Sequence, residues 1–185
     1  MEGKLVRLRA YEREDLDNVM SWVNDPEVTR TLDSFPFPMS RGQEAEWLEK
    51  AVMNEGDRKV FAIETKEGEY LGGLGFMKID WKNRNLEFGI VIGKKEHWDK
   101  GYGTDATLVA LDLAFNRLNI HKVYLRVFDY NKAAIRCYEK CGFKKDGVLR
   151  EGFYFENRYH DVILMGILKH EFLEMQKKAS DTPRS

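Results

Sequence analysis

Apolar and polar positions alternate at the start of the chain. Val6 and Leu8 face one way and Arg7 and Arg9 the other, which predicts a half-buried strand over residues 5–9. Leu16, Val19, Met20 and Val23 then recur at helical spacing and predict a helix over about residues 13–23. It should stop before Asn24-Asp25-Pro26, because a proline drives the residue ahead of it out of the helical region. Phe35-Pro36-Phe37-Pro38 cannot be helical and reads as extended. Ser40 through Gln43 fits a capping box, with Ala45, Leu48 and Val52 carrying that helix to about Asn54. Residues 59–65 and 69–79 read as strands joined by a turn at 66–68. A second turn at 82–85 leads to a strand at 86–92, so the middle of the chain reads as an antiparallel meander.

The rhythm then changes. A loop at 93–100 precedes a long apolar helix at 102–118, a strand at 123–127 and a helix at 132–141. Asn131 is placed to cap that last helix and Gly142 to follow its end. Strands at 143–155 and 159–168, split by a turn at 156–158, lead to a short helix at about 169–177. The polar stretch 179–185 is expected to be a disordered tail. There is no internal repeat or linker, so the pattern predicts one α/β domain with a mixed sheet, spanning residues 1–178.

Composition narrows what this domain can do. With 30 Lys+Arg against 31 Asp+Glu, the chain lacks the basic excess that nucleic-acid binding demands. No apolar run approaches the roughly 20 residues that span a bilayer. The opening Met1-Glu2-Gly3-Lys4 leads straight into a strand pattern with no signal-peptide core, which makes the cytoplasm the expected location. Cys137 and Cys141 lie four apart in a helical pattern, and the histidines are scattered, so no metal site is expected.

The chemistry concentrates in His97-Trp98-Asp99-Lys100-Gly101-Tyr102-Gly103-Thr104, between a strand and a helix. Glycines let the backbone approach a ligand, and the unpaired N–H groups of a helix start, together with its dipole, favour an anion. Lys100 adds a positive charge, with Lys94 and Lys95 just upstream. Gly103-Thr104-Asp105 lacks the lysine of a Walker loop. Gly101 to Ala106 satisfies a dinucleotide spacing, but the hairpins before it are not the opening of a parallel βαβ sheet.

Downstream, Asn131-Lys132-Ala133-Ala134-Ile135-Arg136-Cys137-Tyr138-Glu139-Lys140-Cys141-Gly142-Phe143 makes the likeness specific. Together with the glycine loop and the strand at 123–127, this segment resembles the GNAT N-acetyltransferase superfamily. The branch it resembles holds bacterial spermidine N-acetyltransferases and ribosomal-protein N-terminal acetyltransferases. Leu5 to Arg9, Trp22 to Val28 and Asn119 to Val123 match that branch too, and the likeness covers roughly residues 4–170. Trp98 stands where the general family pattern has Gln or Arg; Trp is usual in this branch.

The resemblance implies a GNAT-like domain: a mixed, mostly antiparallel sheet, splayed in the middle and flanked by helices. The strands at 86–92 and 123–127 would part into a V holding acetyl-CoA, the co-substrate. Backbone groups of Val91, Ile92 and Gly93 would pair with the pantetheine arm. The backbone of Trp98, Asp99, Lys100, Gly101, Tyr102, Gly103 and Thr104 would hold the pyrophosphate, and Asn131 would bond the pantetheine or its neighbouring backbone. A homodimer is expected on the same ground.

Acetyl transfer to an amine needs a proton removed from the acceptor and one returned to the leaving thiolate. Tyr138 is the candidate acid, its phenol pKa near 10 matching a thiolate; a core tyrosine is the competing reading. Glu87 is the candidate base through a water, or else a substrate-binding carboxylate or an ordinary surface residue. Glu27, Asp33 and Glu44 could attract a cationic amine, but each reads first as part of a solvated charged face. Trp22, Trp47 and Phe35 read as core. The expected activity is direct acetyl transfer to a small primary amine such as a polyamine or amino sugar. A protein N-terminal acetyltransferase and a non-catalytic CoA-binding module are the alternatives.

Overall fold

The computed structural model describes residues 1–32 and 37–181; for 180 and 181 only the backbone is described. Asp33, Phe35 and the start of the 35–38 segment therefore lie outside the described residues. Seven strands form one sheet in the order β1-β2-β3-β4-β5-β7-β6. They are β1 (Val6–Arg9), β2 (Lys59–Thr65), β3 (Tyr70–Asp80), β4 (Asn85–Ile92), β5 (Lys122–Phe128), β6 (Lys144–Phe155) and β7 (Arg158–Leu168). The helices are α1 (Leu16–Met20), α2 (Pro26–Thr29), α3 (Arg41–Met53), α4 (Tyr102–Asp112), α5 (Lys132–Lys140) and α6 (Lys169–Asp181). Among the described residues no helix is long and apolar enough to cross a membrane.

The chain forms two compact units. The first comprises Met1–Lys78 and Phe88–Val109. Here β1 pairs antiparallel with β2, and β2 with β3, so that Val6 and Leu8 are buried as their alternation requires. Tyr11, Val19, Trp22, Leu48, Val60, Ala62 and Tyr70 make its core, with Trp47, Val91 and Trp98 packed against it. The capping box forms as expected: Ser40 Oγ accepts from the Gln43 N–H at 3.2 Å, and Gln43 Oε1 accepts from the Ser40 N–H at 3.0 Å. The helix expected over 13–23 is broken up. A 3₁₀ turn at Arg13–Asp15 leads into a five-residue α1, and Asp25 then caps the short α2, which the apolar pattern did not reveal. Asp15 explains the early bend, because its carboxylate takes the Glu12 N–H at 2.9 Å and both Arg9 terminal nitrogens at 2.7 Å.

The second unit comprises Ile79–Glu87 and Ala110–Ser185. In it β4 pairs parallel with β5 over three positions, from Asn85↔Lys122 to Glu87↔Tyr124. β5 runs on to Phe128 paired antiparallel with β7, and β6 pairs antiparallel with β7. The tilted rings of Phe115 and Phe172 lie 5.3 Å apart, centroid to centroid, within a core that includes Ile120, Val123, Leu125, Val162 and Ile167. The long helix expected to Leu118 turns π-helical over Leu113–Arg117. α6 runs to Asp181, past the end expected near Lys177, so residues 179–181 are helical and not tail.

Candidate functional site

In the first unit, the glycine loop starts from a packed end of β4. The Gly93 N–H donates to the Leu71 carbonyl at 2.8 Å, and a Cβ at Gly93 would lie 2.3 Å from the Trp22 ring. A side chain there would displace the indole, so the position demands glycine. Trp98 folds back, and its Nε1 donates to the Ile92 carbonyl at 2.8 Å. The tryptophan is thus a latch that ties the loop to the strand. These bonds narrow the expectation for 91–93, since the Gly93 N–H is already engaged and the Ile92 carbonyl already accepts one bond.

The cradle follows. Asp99 at φ 55° and Gly101 at φ 87° turn the chain through left-handed conformations into α4. The first helical bond runs from the Asp105 N–H to the Gly101 carbonyl at 3.0 Å. The first N–H groups of a helix have no acceptor within it as a rule, which is the source of anion affinity at a helix start. Thr107 Oγ1 donates to the Gly103 carbonyl at 2.7 Å and braces the turn. Lys100 is exposed at the edge of the loop. Lys95 is not a phosphate ligand, because it is tied to Asp25 at 2.7 Å and to Glu27 at 2.8 Å. Those carboxylates hold its ammonium pKa above the ordinary lysine value.

Asp105 is the residue that sequence reasoning missed. An acid in the first turn of a phosphate-binding helix should repel its ligand, but this one is turned away. Its carboxylate accepts the backbone N–H groups of Lys4 (3.0 Å), Leu5 (2.7 Å) and Val6 (3.0 Å). The start of β1 is thereby fastened to the start of α4. Gly3 is required beneath it, since a Cβ there would sit 2.3 Å from Asp105 Oδ2. No local pattern announces this latch, because its partners lie about a hundred residues away in the chain.

In the second unit, Asn131 caps α5, and its Oδ1 accepts the Ala134 N–H at 3.2 Å. The cap uses only the carbonyl end of that amide; its NH₂ end is a separate donor. Tyr138 is buried, 7% exposed, with its ring centroid 5.7 Å from that of Phe143. Burial pushes its phenol well above the ordinary tyrosine value, with the Cys137 and Cys141 thiols adding to the rise. The phenol therefore stays protonated throughout the physiological range, and the rise carries it above the match to a thiolate that its ordinary value would give. Glu87 is half-buried and stands directly across from Tyr124 in the parallel register. Burial, with the charges of Glu87 and then Asp80, raises the Tyr124 phenol.

Beside α5 lies an open cleft of about 360 Å³ lined by Asp129, Tyr130, Lys132, Arg158, Tyr159 and His160. Arg158 Nε donates to His160 Nε2 at 3.1 Å, so the ring carries its proton on Nδ1 and donates to Asp129 Oδ1 at 2.9 Å. Burial works to raise the Asp129 carboxyl, but His160 and the backbone N–H groups of Asp161 and Tyr130 together outweigh it and hold it low.

The other sequence-level candidates separate. Glu27 is bound to Lys95, while Glu44 is not on a solvated face: it is 4% exposed, and burial raises its carboxyl. Trp22 is core and Trp47 packs partly buried against it, both as expected. Among the described residues, Glu69, Glu96 and His97 place three metal-type donor atoms within 4.8 Å of one another, and both acids are exposed. Aminolysis of a thioester needs no metal ion.

A glycine-turned helix start, a parallel pair of strands joined through α4, and a capped helix carrying a buried tyrosine are elements that carry the resemblance to the acetyltransferases. The sequence profile of the acetyltransferase (GNAT) domain matches residues 6–144, and the chain belongs to that family. It is similar to the spermidine N(1)-acetyltransferase of Vibrio cholerae, 34% identical over 168 residues, which are 90% of this chain and 94% of that protein. It is also similar to the spermidine N(1)-acetyltransferase of Escherichia coli K12, 33% identical over 96% of this chain and 93% of that one. A crystal structure of spermidine N-acetyltransferase from Vibrio cholerae, in complex with CoA and spermine, matches with a TM-score of 0.83 at 33% identity, covering 91% of this chain and 98% of that one. The chain is an N-acetyltransferase with acetyl-CoA as co-substrate.

Proposed function

We propose that the acceptor is a polyamine, acetylated on a primary amine by direct attack on acetyl-CoA in a ternary complex. The observation that carries this reading is the likeness to two spermidine acetyltransferases over nine-tenths of the chain, glycine loop and α5 included. The donor side uses the backbone of Trp98, Asp99, Lys100, Gly101, Tyr102, Gly103 and Thr104 for the pyrophosphate. The backbone of Val91 and Ile92 and the amide NH₂ of Asn131 serve the pantetheine.

The chemistry then needs three services. The ammonium of the acceptor gives up a proton, and Glu87 takes it through a water. The free amine adds to the thioester carbonyl, whose oxygen gains charge and is met by backbone donors. The bond to sulfur breaks, Tyr138 protonates the departing thiolate, and the second proton of the attacking nitrogen leaves through water and restores the Tyr138 phenol. No residue of the chain is acylated. The catalytic domain runs to the end of α6 at Asp181, and the enzyme works as a cytoplasmic homodimer.

The test is a panel of spermidine, spermine, an amino sugar and a ribosomal-protein N-terminal peptide, each incubated with acetyl-CoA and the products weighed by mass spectrometry. The reading expects monoacetylated spermidine or spermine at the highest kcat/KM. Preference for the peptide would establish the protein N-terminal alternative, and no acetylated product with CoA binding retained would establish a binding module.

A further inference from the structure

The corner between β5 and α5 is held by a buried histidine that the acetyl-transfer chemistry leaves without a role. Three residues, Asp129, Tyr130 and Asn131, take the chain from the end of β5 to the first turn of α5. The last of them is the cap whose amide NH₂ is assigned to the pantetheine. Its N–H donates to the Phe128 carbonyl at 3.0 Å, and the Lys132 N–H donates to the Tyr130 carbonyl at 2.9 Å, which folds the corner tightly.

His160, on β7 and 5% exposed, grips the other two. Its Nδ1–H donates to Asp129 Oδ1 at 2.9 Å, a charge-assisted bond, and its ring meets the Tyr130 ring edge-on at 4.6 Å. Asp129 Oδ2 takes the Asp161 N–H at a longer 3.4 Å. The Tyr130 ring also stacks on Phe128 at 5.4 Å and on Phe155 at 5.5 Å. Without His160, the Asp129 carboxylate, already 38% exposed, turns to water and Tyr130 loses its edge partner. The corner is then free to shift Asn131, and a hydrogen bond to a ligand weakens steeply with distance and angle.

We propose that His160 is a positioning residue for acetyl-CoA: by holding Asp129 and Tyr130, it fixes the direction in which Asn131 presents its amide to the pantetheine. The inference rests on the reading of Asn131 as a pantetheine ligand.

Titration calorimetry of CoA into the full-length enzyme tests it, with a readout that does not depend on which amine is accepted. His160→Leu should weaken CoA about tenfold, the equivalent of roughly one hydrogen bond, while kcat at saturating acetyl-CoA stays within about threefold. His160→Asn places an amide N–H near the Nδ1 position and should restore affinity to within about threefold of native. His160→Gln places its amide at the Nε2 end, out of reach of Asp129, and should bind as weakly as the leucine variant. A histidine needed only for packing would give the opposite order, because glutamine is the closer match in volume. Asp129→Ala alters a part-exposed side chain and tests the same pair should His160→Leu fail to fold. It should weaken CoA to a similar degree, and its combination with His160→Gln should be no weaker than either alone. Native affinity in the folded His160→Leu or in Asp129→Ala, an asparagine variant weaker than the glutamine one, or additive losses would overturn the proposal. Asn131→Ala separates it from the reading beneath. No loss there removes the pantetheine assignment and this inference together; a loss there with none in the His160 variants removes the inference alone.

Discussion

Replacing Asp105 by alanine removes the acceptor of three backbone N–H groups at once. Those of Lys4 and Leu5 are part-buried and can be rehydrated in the variant; that of Val6 is buried, and Val6 itself is 0% exposed. A buried donor left unsatisfied costs about 1–3 kcal/mol, and each part-buried charge-assisted bond contributes roughly another 0.5–1 kcal/mol. The first turn of α4 also loses a favourable charge worth about 0.3–1 kcal/mol. The sum is about 4 kcal/mol, which for a domain of this size lowers Tm by roughly 8–16 °C. Asp105→Asn keeps one oxygen acceptor and should fall between the variant and the native chain. Urea unfolding followed by tryptophan fluorescence, together with the acetyl-CoA KM, measures both consequences: lower stability, and a weaker cradle because the helix start is no longer fastened to β1. A loss below about 1 kcal/mol with an unchanged KM would refute the latch.

Tyr138→Phe should lower kcat by roughly 10²–10⁴-fold with the acetyl-CoA KM within about threefold, as befits a group acting only as sulfur leaves; an unchanged kcat removes the role. Glu87→Gln should lose the acidic limb of the kcat/KM pH profile, and a limb that persists assigns Glu87 to binding alone. Asp15 supplies a stability test. Its burial works to raise the carboxyl, but the two-pronged Arg9 bond and the Glu12 N–H outweigh it and hold the pKa low. A depressed carboxyl contributes stability that is present above the unfolded value of about 3.9 and lost as pH falls through the folded one. Asp15→Asn should therefore lose about 2–3 kcal/mol at pH 7, less than a fully buried pair because Arg9 is 28% exposed, and show a shallower decline below pH 4 in urea titrations.

Local signals were the ones the sequence could state. The Ser40–Gln43 box, the Asn131 cap and the alternation of Val6 and Leu8 each act within a few residues, and all three form as expected. Helix 13–23 failed where a side chain competed with the backbone: Asp15 bonds Arg9 and the Glu12 N–H and bends the chain early. Long-range partnerships were silent. Lys95 reads as a phosphate ligand until Asp25 and Glu27 are seen holding it, and Glu44 reads as surface until α3 buries it. The glycine turn into α4 was legible because it is carried by backbone, but the Trp98 latch was not, since it depends on where the indole lands.

Initial rates with acetyl-CoA and spermidine both varied test the central claim most directly. The account predicts intersecting double-reciprocal lines and one monoacetylated spermidine for each CoA released. Parallel lines with an acetylated enzyme caught by mass spectrometry, or CoA release without acetylated polyamine, would contradict it.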